Sequence, residues 1–449
     1  VDGRPGQRKA MLIAASYVFY GAWDVRFLLL MAGVSAVAWL TGIGLGTGWA
    51  GPGRRARRWV IGLTVALLLG ALGFFKYADF FVLSLAQLMA NLGLERDMVW
   101  VGVVLPVGIS FYVFQAISYV VDVARQDVAA RRNPADVALY ISFFPQLVAG
   151  PIVRARDFLP QIDAPHPPDA ADRGEAVLLI LTGLLKKLVI ANYLGVLQVD
   201  PTFAAPLQTD RLTLWLALVG YGIQIYCDFS GYSDIAIGVA LLLGYRFRRN
   251  FDQPFRSTSV KEFWRRWHIS LSTYIRDYLY IPLGGSHGGL GRQVLVVITC
   301  FTLSGFWHGA AWTFVLWGAL HGVALATERV MLARGVQLPT LPAYGLTLLV
   351  ITLLWILFRS PDMASAGVYL QALLGPEGDR PGPTILPALW GLVACGLALN
   401  WLPLRLRTQA VGLLAWLPAP LQAVVLGLGV VLTFALAQEG TSPFIYFQF

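Results

Sequence analysis

Residues 294–326 read VLVVITCFTLSGFWHGAAWTFVLWGALHGVALA. This run contains 33 residues and no Asp, Glu, Lys or Arg, whereas about 20 consecutive apolar residues are enough to cross a bilayer. It therefore predicts membrane-spanning helix. His308 lies in its middle, within FTLSGFWHG (301–309), and an ionisable side chain at membrane depth indicates a functional site by default. A hydrogen-bonded core histidine is the alternative, and this stretch alone does not decide between them.

The composition indicates a membrane protein. Of the 449 residues, 57% are hydrophobic and only 13% are charged, whereas soluble domains carry about 25% charged residues. The net charge of +9 fits basic cytoplasmic loops, so we expect a lipid bilayer and no nucleic acid as partner. The three cysteines have neither metal-ligand spacing nor a disulfide pattern. The chain begins Val-Asp-Gly without a signal-peptide pattern, and we expect that N-terminal residues are missing.

Apolar segments recur along the whole chain and predict about 11 transmembrane helices. They lie at 10–23, 25–49, 59–92, 100–124, 175–199, 211–244, 294–306, 311–331, 341–358, 384–402 and 421–438. Four clusters of arginine should face the cytoplasm, and these spans place all of them there: 54–58, 124–132, 246–249 and 405–407. The predicted fold class is an all-α polytopic membrane protein, with one transmembrane domain over residues 1–449.

Three segments depart from a simple upright span. Residues 59–92 and 211–244 would each run about 50 Å as a straight helix, so they should tilt, kink or project beyond the bilayer. Residues 136–162 have an apolar core that is too short to cross and is broken by Pro145 and Pro151. We interpret this last segment as a re-entrant or interfacial element buried within the protein.

Residues 245–292 form the most basic loop, with nine Lys and Arg residues against three acidic ones. Within this cytoplasmic loop, Ser259 and Glu262 have the spacing of a helix capping box, and large apolar side chains then recur on one helical stripe. The stripe predicts an interfacial helix on the anionic inner leaflet. That interpretation leaves His268 unexplained, and a basic surface also suits an anionic, nucleotide-bearing donor. Both interpretations stay open at this point.

The span 211–244 contains many polar side chains for one membrane helix. They are Gln224, Asp228, Ser230, Tyr232, Ser233 and Asp234. A carboxylate facing lipid costs about 3 kcal/mol, so Asp228 and Asp234 should face protein or water. The two carboxylates could orient a histidine and fix its tautomer, as a carboxylate does in hydrolytic triads. The alternative is that they form polar contacts between packed helices.

Several function classes are disfavoured by the motifs that the sequence lacks. It contains no P-loop and no H-E-x-x-H, so an ATP-driven pump and a zinc protease are not expected. The match to G-x-S-x-G at 284–288 lies in a glycine-rich loop rather than between a strand and a helix, so a serine hydrolase is not expected either. Cys227 and Cys300 lie in predicted spans, which disfavours a thiolate nucleophile. A neutral imidazole at His308 is instead suited to act as a general base toward a hydroxyl or thiol.

Four long motifs resemble the membrane-bound O-acyltransferase family, in the bacterial branch that acylates cell-surface polymers. They are SFFPQLVAGPIVR (142–154), YGIQIYCDFSGYSDIAIG (221–238), NFDQPFRSTSVKEFWRRWHISLSTYIRDYLYIPLGG (250–285) and FWHGAAWTFVLWGALHG (306–322). The tail SPFIYFQF (442–449) is typical of the same branch. The likeness covers nearly the whole chain, although family members usually have a further hydrophobic segment before QRKAMLIAASYVFYGAW.

The resemblance implies one helical domain around a central funnel and two functional histidines. His308 would be the catalytic histidine, because it matches the family's WHG, and His268 would be the second, on the cytoplasmic side. The supporting residues predicted around them are Asp228, Asp234, Gln224, Tyr232 and Trp307. The residues predicted to bind the donor are Arg265, Arg266, Trp267 and Arg276.

The resemblance also implies a reaction. The donor would be cytoplasmic acetyl-CoA, with no permanently bound cofactor and no metal. The acetyl group would pass outward across the bacterial cytoplasmic membrane, often through a periplasmic or membrane-anchored partner acetyltransferase. Its destination would be a hydroxyl of an extracytoplasmic polysaccharide such as alginate.

Three other functions stay open from the sequence. D-alanyl transfer to teichoic acid would use a carrier-protein thioester in place of acetyl-CoA. A proton-coupled polysaccharide transporter would use intramembrane Asp and His as a proton relay. A scaffold that recruits a polymer-synthesis complex would tolerate loss of His308.

Overall fold

The fold is helical throughout the part of the chain that the structure describes. This part of the computed structural model consists of residues 5–47, 53–94, 102–376 and 387–438, and all regular secondary structure within it is helix. The predicted all-α class is therefore confirmed. The tail at 442–449 lies outside the described residues.

The chain divides into two compact units. Unit 1 comprises residues 1–167 and 244–247, and unit 2 comprises residues 168–243 and 248–449. The expected single domain over residues 1–449 stays a prediction.

Unit 1 contains seven α-helices within the described residues. They are α1 (Pro5–Gly21), α2 (Leu28–Thr47), α3 (Arg54–Asn91), α4 (Ile109–Arg125), α5 (Pro134–Ser142), α6 (Phe144–Leu147) and α7 (Ala155–Asp163). Helix α2 packs on α4 and α5, and α3 packs on α4. Buried tyrosines from α1, α4 and α5 fill the space between helices: Tyr20, Tyr112, Tyr119 and Tyr140.

The segment 136–162 has the broken course that its prolines predict. It contains α5, α6 and α7, and the non-helical backbone between α6 and α7 is buried. The hydroxyl of Tyr140 donates to the carbonyl of Val153 at 3.0 Å, and the side chain of Gln146 donates to the carbonyl of Tyr140 at 2.8 Å. These bonds satisfy backbone groups that helix would otherwise pair, so this element is buried within protein, as predicted.

Besides the short helical segments Pro206–Gln208, Pro254–Arg256 and Arg276–Tyr280, unit 2 contains eleven main helices within the described residues. They are α8 (Ala170–Ala204, with π-helical turns in its second half), α9 (Arg211–Leu242), α10 (Val260–Arg266), α11 (Ile269–Ile275), α12 (Leu290–His308), α13 (Trp312–Ala333), α14 (Thr340–Arg359), α15 (Met363–Leu374), α16 (Pro387–Leu399), α17 (Leu404–Trp416) and α18 (Ala419–Leu436). Helix α9 packs against α8 and α14, and α12 packs against α13.

The described residues contain fewer clear candidate spans than the sequence predicts. By length and composition, seven helices in them can cross a membrane, or eight if the bent pair α16 and α17 forms one span. Helices α1 and α4 have 17 residues each, which is at the lower end of the range for a span. A polytopic membrane protein is confirmed, whereas the count of about 11 is not.

Two facing glycines allow α12 and α13 to pack closely as an antiparallel hairpin. A Cβ atom built on Gly305 would lie 2.8 Å from the Cα atom of Gly318, and one built on Gly318 would lie 2.9 Å from the Cα atom of Gly305. Small residues at such positions let two helix backbones approach each other in membrane proteins. The close approach brings the end of α12 against the start of α13.

We expect Gly305→Ala to lower the melting temperature of the purified protein. The added methyl group meets backbone, so the helices must move apart, and overpacking of this kind costs about 1–3 kcal/mol. Gly345→Ala in α14 is the matched control, because no atom lies within 4 Å of the Cβ position there. Removing a helical glycine at an open site stabilises by up to about 1 kcal/mol. Equal melting temperatures for the two variants would contradict the close contact.

Candidate active site

His308 is the last residue of α12, and the chain turns immediately after it. Gly309 and Ala311 are extended, and α13 begins at Trp312. A side chain at position 309 would overlap the ring of Phe314, so the glycine after the histidine is required by packing. The 19 residues of α12 span about 28 Å, and the imidazole lies at the far end of that length from Leu290.

Aromatic rings from three helices surround His308. Ring centroids lie 5.0 Å away in Trp307 of α12, 5.2 Å away in Trp317 of α13 and 5.4 Å away in Phe358 of α14. The Trp317 and Phe358 rings stand nearly edge-on to the imidazole. His308 is buried, with 4% of its surface exposed, and aromatic rings form much of its surroundings.

His268 lies at a break between α10 and α11. Its backbone has φ +44° and ψ 53°, the left-handed conformation, which costs a non-glycine residue roughly 1–2 kcal/mol. The continuous interfacial helix expected across this segment is therefore interrupted. The physical reason is the burial of its apolar stripe: the Trp267 ring stacks on Phe263 with centroids 5.4 Å apart, and both side chains lie in the protein interior.

The break turns His268 into the core beside His308. Its ring packs edge-on against Phe229 of α9, with centroids 4.6 Å apart, and is fully buried. The centroids of the His268 and His308 rings are 6.5 Å apart, and Trp307 contacts both rings. Burial lowers the pKa of His268 to about 3, so this imidazole is neutral at physiological pH. The structure thus brings together the two histidines that the sequence singled out.

A cavity of about 320 Å³ lies between α10, α11, α12 and α13. Four basic side chains line it, together with one acidic side chain: Lys261, Arg265, Arg276, Arg329 and Glu328. The Glu328 carboxylate accepts hydrogen bonds from the backbone N–H groups of Val260 and Lys261 at the start of α10. The positive end of the helix dipole there offsets the charge of the carboxylate. The cavity lining is therefore positively charged on balance.

The inner part of the same cavity is apolar and approaches His308. Cys300, Phe301 and Ser304 of α12 line it. Ser304 and His308 are four residues apart, so they lie on the same face of α12, one turn from each other. Trp264, which also lines the cavity, contacts Trp317 with ring centroids 5.8 Å apart. The cavity is thus basic at one end and ends one helical turn from the buried histidine at the other.

The family model described as the membrane-bound O-acyltransferase family matches residues 107–357. This range includes both histidines and the whole lining of the basic cavity. The chain is a member of the membrane-bound O-acyltransferase family. The sequence resemblance to this family is therefore confirmed, and with it the class of enzyme.

Curated members of the family resemble the chain over most of its length. A protein named "Probable alginate O-acetylase" from Pseudomonas putida is 38% identical over 98% of this chain and 94% of the relative. Another of that name from Pseudomonas syringae is 44% identical over 80% of this chain and 68% of the relative. A peptidoglycan O-acetyltransferase of Helicobacter pylori is 34% identical over 82% and 74%.

The intramembrane carboxylates of this O-acyltransferase form ion pairs with lysines of α8. Asp228 pairs with Lys187, and Asp234 pairs with Lys186 at 2.6 Å. Lys186 and Lys187 lie in the π-helical stretch Leu185–Ala191 of α8. The contact between packed helices, one of the two alternatives for these aspartates, is the one seen here. Sequence analysis missed the two lysines, although adjacent lysines in a predicted span are themselves a signal for buried carboxylates.

Of the other predicted residues, one contacts both histidines and two lie on α9. Trp307 touches both histidines. Gln224 is buried against Gly195 of α8, and Tyr232 is half-buried on α9. Sequence analysis also missed Trp317 and Phe358, which enclose His308 from α13 and α14.

The predicted donor-binding residues also separate into two groups. Arg265 and Arg276 line the basic cavity, and Arg266 and Trp267 do not. Arg266 instead pairs with Glu262 at 2.8 Å and with Asp252 at 3.6 Å. Trp267 is enclosed by aromatic rings in the interior, so neither side chain is directed at the cavity.

We expect Lys187→Met to destabilise the protein because it leaves the Asp228 carboxylate buried without its cation. Both side chains are largely buried, with 16% and 5% exposed, and breaking a buried pair from one side costs about 3–5 kcal/mol. The double variant Lys187→Met/Asp228→Asn should recover most of that loss in a thermal melt. Loss of acyl transfer in a stable double variant would show instead that the Asp228 charge serves the histidines.

Proposed function

We propose that the protein is a membrane O-acetyltransferase that takes acetyl from acetyl-CoA for the O-acetylation of an extracytoplasmic polysaccharide such as alginate. The observation that carries the proposal is the pair of buried imidazoles, 6.5 Å apart, with His308 one helical turn from Ser304 in the lining of a basic cavity. Relatives that cover most of the chain are named for O-acetylation of alginate and of peptidoglycan, which supports both the acyl group and the class of acceptor.

His308 acts in this proposal as the acid and base of the transfer. Its neutral imidazole takes the proton of the attacking hydroxyl as that oxygen bonds to the thioester carbonyl carbon. The carbon–sulfur bond then breaks, and the proton returns to the leaving thiolate. The aromatic rings of Trp307, Trp317 and Phe358 around His308 favour the neutral ring that a base requires, because burial disfavours an imidazolium ion.

The donor occupies the basic cavity. Its phosphate groups lie at Lys261, Arg265 and Arg276, and the thin acyl-bearing arm extends along α12 toward Ser304. Arg265 is exposed and forms no ion pair within the described part of the chain, so it can bind phosphate without losing a partner. A cavity of about 320 Å³ is at the lower end of the range for small-molecule sites, which suits the arm of the donor rather than the entire molecule.

The protein lies in the bacterial cytoplasmic membrane with the cavity facing the cytoplasm. Acetyl-CoA is a cytoplasmic metabolite, and the polysaccharide is outside, so the acetyl group must cross between them. The immediate acceptor is a hydroxyl of the polymer or of a periplasmic or membrane-anchored partner acetyltransferase. Either one presents the same nucleophile to His308.

The decisive experiment supplies labelled acetyl-CoA to purified protein in vesicles and follows label on an acceptor polysaccharide. We expect transfer that needs no proton gradient, and His308→Ala and His308→Gln should each reduce it about 10²- to 10⁴-fold, because a positioned general base contributes that much. Glutamine preserves hydrogen bonding but cannot titrate, so near-normal transfer by His308→Gln would exclude the catalytic role.

Three controls separate the alternatives. A D-alanyl carrier-protein thioester offered in place of acetyl-CoA would be the better donor for a D-alanyltransferase. Collapse of transfer by an uncoupler would indicate a proton-coupled transporter. Unchanged polymer acetylation by a His308→Ala variant in cells would indicate a scaffold. Membrane abundance is measured in each case, so that a folding defect is not mistaken for a catalytic one.

We expect Arg265→Gln to raise the KM for acetyl-CoA about tenfold, since one charge-assisted phosphate contact contributes about 1.4–3 kcal/mol. The neighbouring Arg266→Gln is the matched control, because its side chain pairs with Glu262 and Asp252 rather than lining the cavity. That variant should change KM little and the melting temperature more. An equal rise in KM for both would place the donor elsewhere on the basic loop.

A further inference from the structure

Asn250 connects three segments of unit 2 around His268. It is 1% exposed. Its Oδ1 atom lies 3.3 Å from Nδ1 of His268 and accepts hydrogen bonds from the backbone N–H and the hydroxyl of Ser270 at 3.1 and 2.8 Å. Its Nδ2 atom donates to the hydroxyl of Ser233 on α9 at 3.2 Å. Its carbonyl accepts the backbone N–H of Ile269 at 2.8 Å.

These contacts fix which end of the Asn250 amide faces His268. A backbone N–H can only donate, so the atom opposite the N–H of Ser270 must be the amide oxygen. An amide oxygen can only accept. The Ser270 hydroxyl also lies 3.5 Å from Nδ1 of His268, but its hydrogen is donated to the same amide oxygen at 2.8 Å. The ring nitrogen that bonds to the amide oxygen, Nδ1 of His268, therefore carries the hydrogen.

We infer that Asn250 is a positioning residue that holds His268 in the Nδ1–H tautomer, with Nε2 presented as a bare hydrogen-bond acceptor. Nε2 is buried and has no hydrogen-bond partner within the described residues. It lies in the ring that Phe229, Trp307 and His308 surround. Leaving a buried acceptor without a hydrogen-bond partner costs free energy. The partner of Nε2 is a hydrogen-bond donor of the bound substrate.

The same contacts explain how an unfavourable backbone is maintained. His268 has the left-handed conformation, and the residues on its C-terminal side bond to Asn250 through Ile269 and Ser270. Ser233 attaches the amide to α9, the most extensively buried of the candidate spans. The Asn250 side chain thus connects the turn at His268 to the core, and its hydrogen bonds determine the direction of the imidazole.

The tautomer is a property of the resting protein, whereas its use in catalysis rests on the proposed function. In that reaction a bare Nε2 accepts a hydrogen bond from a neighbouring hydroxyl or N–H group of the acceptor and so directs the attacking hydroxyl at the carbonyl carbon, while His308 takes the proton of the attacking hydroxyl. The opposite tautomer would present a donor to that neighbouring group. The wrong tautomer of a positioned histidine costs catalysis heavily even when geometry is kept.

The test is nitrogen NMR of the full-length protein in lipid bilayers, with ¹⁵N-labelled histidine. Protonated and bare ring nitrogens give separate signals, and a His268→Gln sample assigns those of His268. We expect Nδ1 to be protonated and Nε2 bare in the unmodified protein. A protonated Nε2 would overturn the inference, whatever the protein catalyses.

Variants then test whether Asn250 is the cause. Asn250→Leu removes the acceptor and should release the Nδ1–H tautomer, whereas Asn250→Asp keeps an acceptor oxygen and should preserve it. Ser233→Ala is the matched control, because it removes a contact from the other end of the same amide and should leave the tautomer unchanged. An unchanged tautomer in Asn250→Leu would show that Asn250 has only a structural role.

Activity separates this inference from the proposed function. We expect Asn250→Leu to lower kcat on the order of 10²-fold at constant membrane abundance, with KM for acetyl-CoA little changed, and Asn250→Asp to retain more activity than Asn250→Leu. A protein with the inferred tautomer but no acetyl transfer would refute the proposed function alone. If Asn250→Leu fails to fold, the His268 tautomer of the unmodified protein and of Asn250→Asp still tests the inference.

Discussion

Charge neutrality in an apolar interior is the constraint on which the rest of this structure depends. An unpaired charge buried there costs several kcal/mol, and the ionisable groups near the histidines avoid that cost in one of two ways. The lysines of α8 pair with Asp228 and Asp234, and burial lowers the pKa of His268. In the proposed function, neutral imidazoles of the interior carry out the chemistry, whereas the cations that bind a charged donor lie toward the exposed part of the cavity. Lys261 and Arg265 are both exposed, which matches that division.

The features that sequence analysis predicted are those determined by local composition. Apolar length predicted the helices, and a proline-broken segment predicted the buried, irregular backbone between α6 and α7. The histidine in the middle of an uncharged run of 33 residues predicted an imidazole in apolar surroundings, and the His308 ring is buried among aromatic side chains. The capping role of Ser259 was also predicted, and its hydroxyl accepts the N–H of Glu262 at 3.0 Å. The reciprocal bond goes from Thr258 rather than Ser259 to the Glu262 carboxylate, a one-residue difference that local spacing does not resolve.

The features that it missed depend on residues far apart in the chain. The carboxylates of α9 needed cations, and the lysines that supply them are more than 40 residues away. The stripe of Phe263 and Trp267 has the same period whether it faces lipid or protein, so the pattern could not show that burial would break the helix at His268. Asn250 is 18 residues from His268, and only the folded loop reveals their contact. The count of about 11 spans is not confirmed, because a hydropathy pattern does not show which apolar segments of about 17 residues form spans.

One short segment, residues 260–280, carries residues for both donor binding and catalysis in the proposed function. Its first helix, α10, carries Lys261 and Arg265 on the cavity side and Phe263 on the core side. A continuous helix would place residue 268 three residues after Arg265, on nearly the same face, and would direct the imidazole toward the charged cavity. The left-handed conformation at His268 changes the direction of the chain at that residue, so the basic side chains remain at the cavity while the histidine enters the apolar cluster. The unfavourable backbone conformation at His268 thus allows one segment to carry both the proposed donor-binding cations and a neutral imidazole, and Asn250 hydrogen-bonds the residues that follow it.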